Sequence, residues 1–246
     1  MLAENLERLE GAISAACRAA GRARSEVELM AVSKTFPLEA IAEAAALGLT
    51  LFGESRVQEF STKVLLAAEQ GTWARRDQLR FHLIGHLQSN KAARAAELFD
   101  GIDTLDSLRL AERLDEAAGR FQKKLPVLVE VKLSGEATKT GLDPESEEAA
   151  QLLERLPAFP NLEVRGMMTI APWGAADDVT RACFRGLRSL RDRWAAAHPN
   201  LQLDVLSMGM SGDFALAIQE GATRIRVGTA LFGKRTPPPS PALERN

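Results

Sequence analysis

Short apolar runs alternate with amphipathic stripes about eight times along this chain, and that alternation restricts the folds open to it. The runs are Val27–Val32, Leu49–Gly53, Phe81–Ile84, Ile102–Leu105, Val127–Leu133, Val164–Ile170, Leu203–Leu206 and Thr223–Val227. Each is bounded by polar or glycine-containing segments and has the length of a buried strand. The intervening segments carry apolar residues at helical spacing: Leu108, Ala111, Leu114, Ala118 and Phe121 in one, Phe184, Leu187, Leu190 and Trp194 in another. Strands alternating one for one with helices form a parallel sheet, and eight such units favour closure. The expected class is α/β, a (β/α)8 TIM barrel. A stripe at Leu2, Leu6, Leu9, Ile13 and Cys17 predicts an extra N-terminal helix before the first strand.

A length of 246 residues suits one such barrel. Residues 1–235 are read as a single domain. The tail 236–246, with Pro237-Pro238-Pro239 and Pro241, has little to bury and is expected to be disordered. The formal net charge is -2, so no basic field invites nucleic acid or an anionic membrane. No apolar run could cross a bilayer. Met1–Glu10 carries acids and no apolar signal core, so the cytoplasm is the expected compartment. Cys17 and Cys183 belong to no CxxC or Cys/His cluster and read as buried free thiols.

Barrel enzymes and binders place their chemistry at the C-terminal strand ends. The first strand exits at Ser33-Lys34-Thr35, which aims a lysine amine at the mouth. Partial burial would free that amine to condense with an aldehyde, although a lysine snorkelling from a strand end is the commoner case. The last two strands lead into Ser207-Met208-Gly209-Met210-Ser211 and Gly228-Thr229, at the positions where barrels commonly hold phosphate. Each loop opens a helix; Ser211 or Thr229 alone would fit a plain helix cap, but both loops at these strand positions favour a phosphate site. Strand alternation puts Arg224 and Arg226 on one face. An inward Arg226 could face a cofactor's ring nitrogen; an outward one would pair with an acid on a helix. His82 and His86 lie on a strand and its exit, where four-residue spacing does not converge on a metal. His86 is read as a stacking or hydrogen-bonding group at the mouth, His82 as structural, and no metal is expected.

Six stretches together resemble the pyridoxal-phosphate homeostasis protein family, itself similar to the N-terminal barrel of alanine racemase. They are Ala31–Lys34, Phe52–Glu59, His82–Lys91, Gly166–Ile170, Leu206–Ser211 and Arg226–Gly233. The resemblance implies that pyridoxal 5′-phosphate (PLP) is held as a Schiff base on Lys34. It implies that Ser207, Ser211, Gly228 and Thr229 surround the phosphate and that Arg226 stands near the pyridine nitrogen. Ser55, His86 and Met168 are the remaining expected cofactor contacts. Met167, Met168, Met208 and Met210 could line the pocket or pack the core. Ser55 stands where the family usually has asparagine, which puts that one contact in question.

The implied role is intracellular PLP homeostasis, with PLP and PLP-dependent apo-enzymes as partners and a monomeric state. The alternative is an amino-acid racemase of the alanine-racemase type with weak activity. Such a racemase uses a tyrosine from a second domain opposite its lysine. This chain contains no tyrosine, and no second domain is expected after the eighth unit. A Schiff-base aldolase for a phosphorylated sugar is a third possibility. The closeness of strand one to strand eight favours a compact ligand carrying both aldehyde and phosphate. No catalytic residue is assigned.

Overall fold

Eight strands pair in chain order, and the last returns to the first: β1 (Glu28–Val32), β2 (Leu51–Glu54), β3 (Arg80–Leu83), β4 (Gly101–Leu105), β5 (Leu125–Glu130), β6 (Leu162–Met168), β7 (Val205–Ser207) and β8 (Arg224–Val227). Every pairing is parallel, and closure runs from Glu28 opposite Arg224 to Ala31 opposite Val227. The computed structural model describes residues 1–71, 73, 76–133 and 140–233. The tail expected to be disordered, 236–246, lies outside the described residues.

The outer helices are α1 (Leu2–Ala19), α2 (Leu38–Ala46), α3 (Val57–Gln70), α4 (Ala92–Leu98), α5 (Leu108–Arg120), α6 (Glu147–Arg155), α7 (Asp177–Ala197), α8 (Phe214–Gln219) and α9 (Thr229–Phe232). The expected (β/α)8 barrel with an added N-terminal helix is the fold observed. Two helix starts follow from serine caps: Ser107 Oγ accepts from Leu110 N at 3.3 Å, and Ser146 Oγ from Ala149 N at 3.2 Å. Several boundaries differ from expectation. The run Leu49–Gly53 becomes β2 over Leu51–Glu54, and α3 starts at Val57. A 3-10 turn over Ser89–Lys91 leads into α4, and α6 starts at Glu147 behind its Ser146 cap. β5 stops at Glu130, and Val131 continues only as a single bridge to Leu142.

The added helix has a structural reason. α9 is one turn long and cannot cover the outer face of the last unit. α1 packs on α8 and α9 instead and fills that station of the ring. Asn5 Nδ2 donates to Leu231 O at 2.9 Å, and Arg22, just past the helix, donates from Nη1 to Ala222 O at 2.7 Å. Its apolar stripe, Leu2, Leu9, Ile13, Ala16 and Cys17, is buried. Cys17 and Cys183 are both buried. No helix among the described residues is long and apolar enough to cross a membrane.

Strand alternation divides the barrel wall into two chemistries. Phe52, Phe81, Ile102, Val127, Leu206 and Ile225 join the apolar layer between strands and helices. The opposite face lines the barrel and is strongly polar. Arg224 pairs there with Glu28 of β1 at 2.8 Å and with Asp103 of β4 at 3.3 Å. His82 Nδ1 lies 2.8 Å from Asp103 Oδ1. Burial alone would raise the Asp103 carboxyl, but His82 and Arg224 outweigh it and hold it below the usual range.

Candidate functional site

Closure of the barrel brings the β1 exit against the β8 exit. Gly228 sits so near β1 that a β-carbon on it would stand 3.3 Å from Val32 O, two residues before Lys34. Phe36, two residues after Lys34, packs on Phe232 of α9 with ring centroids 4.9 Å apart. Lys34 itself is half-buried. Both of its neighbours are tied down. Ser33 Oγ donates to Glu54 Oε1 at 2.8 Å, and Thr35 N donates to Glu59 Oε1 at 2.6 Å.

The two glycine-containing loops also meet. Ser211 Oγ accepts from Ala230 N in the first turn of α9 at 3.3 Å. Arg226 N donates to Gly209 O at 2.9 Å. Gly209 has φ +94°, and a β-carbon there would lie 2.6 Å from Ala217 Cβ, so the turn requires glycine. The plain-cap alternative does not describe these residues. Asp213 and Gly228 stand at the N-cap positions of α8 and α9, neither with a side-chain cap bond. Ser211 instead bridges one loop to the next helix.

Arg226 points into the barrel, as does Arg224, so neither is the outward arginine paired with a helix. Arg226 Nη1 donates to Ser207 Oγ at 2.9 Å and Nη2 to Thr169 O at 2.9 Å. Burial pulls its pKa down, opposed by Asp103, Glu130 and Asp213. Ser207 is fully buried and orients this guanidinium. Met168 lies opposite Glu130 and Ser207 on the neighbouring strands, whereas Met167 and Met208 belong to the apolar layer. Of the two buried methionines of β6, Met168 is the one on the barrel side.

Ser55 follows β2, and its Oγ is buried with no partner. Its carbonyl abuts Gly85 after β3, where a β-carbon would stand only 2.3 Å away. His86 is half-exposed at the same rim, its Nδ1 3.2 Å from Asp106 Oδ2. His82 is buried on Asp103, as a structural histidine should be. No group of His, Cys, Asp or Glu among the described residues could hold a metal.

Sequence reasoning passed over three carboxylates: Glu54, Asp103 and Glu130. Each interrupts an otherwise apolar strand, and that interruption was the signal available. Glu130 is 3% exposed. Its Oε1 accepts from Thr140 Oγ1 at 3.0 Å, and its Oε2 has no partner. Burial pushes its carboxyl up, reinforced by Asp106 and opposed by Arg226 and His86. Glu130, Asp106, His86 and Arg226 therefore share one electrostatic neighbourhood within the barrel mouth.

Comparison with known proteins extends this picture. Residues 5–236 match the family described as alanine racemase, N-terminal domain. The pyridoxal phosphate homeostasis protein of Vibrio cholerae is 43% identical over 233 residues, covering 94% of this chain and 95% of that protein. The structure of PipY from Synechococcus elongatus with PLP bound superposes with a TM-score of 0.82 at 41% identity, covering 95% of this chain and all of that one. The alanine racemase of Clostridium difficile shares the fold alone, at 16% identity and TM-score 0.71, with 57% of its length covered. By these matches, over nearly its whole length, the chain belongs to the pyridoxal phosphate homeostasis protein family, on the barrel of the alanine racemase N-terminal domain.

Proposed function

We propose that this chain binds PLP in intracellular PLP homeostasis and holds it as a Schiff base on Lys34. The observation that carries the reading is the meeting of Gly228 with Val32, which adjoins the Lys34 loop and the paired loops after β7 and β8. A ligand with an aldehyde and a phosphate on one small ring needs those two features side by side. The residues at the mouth suit it. Ser55 Oγ and Glu130 Oε2 are buried polar atoms awaiting a partner. Ser211 and Thr229 offer hydroxyl donors for a phosphate. When bound, PLP supplies an aldehyde that a lysine amine can attack.

The chain's own residues then divide the work. Lys34 supplies the amine. Ser211, Gly228 and Thr229 receive the phosphate end. Arg226, fixed by Ser207 and Thr169, presents a cation to the ring nitrogen; Ser55, His86 and Met168 flank the ring. A guanidinium at that nitrogen disfavours its protonation and weakens the ring as an electron sink. That supports a carrier over a racemase, as does the lack of any tyrosine. PLP-dependent apo-enzymes are the proposed recipients, and the protein is proposed to act in the cytoplasm as a monomer.

The test is an absorption spectrum before and after borohydride reduction, with the adduct mapped by mass spectrometry. A bleaching visible band and an adduct on Lys34, lost in Lys34→Ala, are expected. A chain that stays colourless and unlabelled in excess PLP, or an adduct on another lysine, overturns the reading.

A further inference from the structure

Lys63 is a cation without a role in the site just described, yet it lies beneath the loop that carries Lys34. It is 7% exposed. Its Nζ donates to Ser33 O at 3.1 Å and to Glu54 Oε1 at 2.7 Å, and lies 3.0 Å from Glu59 Oε1. Those same carboxylate oxygens hold the residues on either side of Lys34: Glu54 Oε1 receives Ser33 Oγ, and Glu59 Oε1 receives Thr35 N. One ammonium thus joins the end of β1, the end of β2 and the first turns of α3, with Lys34 bracketed between its anchors.

Two features of this cluster run against a purely stabilising purpose. Thr35 adopts φ +67°, a left-handed conformation that a β-branched residue rarely takes and that persists only where its surroundings impose it. Glu54 is fully buried, and its second oxygen has no partner. A buried pair of this kind adds little stability over apolar packing. An apolar pair, however, could not grip Ser33 O, Ser33 Oγ and Thr35 N together.

We propose that Lys63, with Glu54 and Glu59, is a positioning group that fixes the strand-exit geometry of Lys34. The inference rests on Lys34 being the attachment point, but it concerns the apo-protein too. With the cluster intact, the Lys34 side chain leaves the barrel wall in one direction, half-buried at the mouth. With the cluster gone, Thr35 relaxes out of the left-handed region, and Lys34 becomes an ordinary mobile surface lysine.

The experiment uses the full chain in three variants. Glu59→Ala cuts the Thr35 tether while Lys63 keeps Glu54. The double variant Lys63→Met with Glu54→Gln removes the ion pair without stranding a buried charge. Lys63→Arg keeps the cation. Lys34 labelling by an amine-specific reagent is followed against pH in the apo-protein by peptide mass spectrometry, with exposed Lys124 as internal control. PLP release from the loaded protein is timed alongside. In the first two variants Lys34 labelling at fixed pH should approach that of Lys124, a roughly tenfold rate change, and PLP release should quicken by a similar factor. Lys63→Arg should restore most of both. Folded variants with a lower Tm but the wild-type Lys34 profile would overturn the inference and reduce the cluster to structural packing. Wild-type protein that takes up no PLP, while its Lys34 profile still depends on the cluster, would refute the PLP reading and uphold the positioning role.

Discussion

Asp103 anchors the charged interior of the barrel, and replacing it by asparagine should be severe. The carboxylate is 1% exposed and meets His82 on one oxygen and Arg224 on the other, at 2.8 and 3.3 Å. Asparagine keeps the shape but removes the charge and turns an N–H toward one of two donors. Removing one partner of a buried ion pair costs about 3–5 kcal/mol, because the remaining charge stays buried. Arg224 retains Glu28, so the lower end, about 3 kcal/mol, is expected. For a chain of this size that lowers Tm by roughly 6–12 °C. The pH dependence adds a sign. The folded Asp103 carboxyl is held below its unfolded value, so its contribution is full above the unfolded pKa and fades as pH falls through the folded one. The gap between wild type and Asp103→Asn should therefore be wide at neutral pH and close in acid. A second arm replaces both partners, Asp103→Leu with Arg224→Met, and should recover much of the loss. Thermal unfolding followed by circular dichroism reads all three proteins. A neutral-pH loss under about 2 °C, less than 1 kcal/mol, or a gap that widens in acid, would refute this account.

Three further outcomes follow from particular residues. Ile13→Ala on α1 should cost about 2–5 kcal/mol, because this fully buried side chain helps α1 act as the missing outer helix; a loss near zero in urea unfolding would mean α1 is only an appendage. Glu130→Gln should gain stability relative to wild type as pH rises. Burial puts the folded carboxyl above its unfolded value, so the wild-type contribution is full below the unfolded pKa and lost as pH climbs through the folded one. A difference in Tm that stays constant from pH 4 to pH 8 would contradict that assignment. Ser211→Ala combined with Thr229→Ala should weaken PLP retention in dialysis more than Ser55→Ala does. Equal retention in all of them would remove the phosphate assignment for the loops after β7 and β8.

Much of this protein is set by local pattern. Eight apolar runs alternating with helical stripes dictate a closed parallel barrel, because each strand and each stripe must bury one face against the other. Leu2 to Cys17 specifies a helix on spacing alone, and the positions of Lys34, Ser211, Gly228 and Thr229 at strand exits can be read along the chain. The partners of the charges cannot. Arg224 and Arg226 share a face in any strand, but only the closed barrel turns that face inward, toward Glu28 and Asp103 in one case and Ser207 and Thr169 in the other. Asp103 and Arg224 are 121 residues apart, a separation across which periodicity and propensity carry no information. The same holds for Gly228 against Val32 and for Lys63 beneath Lys34. Periodicity tells a residue which way to face, whereas register and closure decide what it meets there.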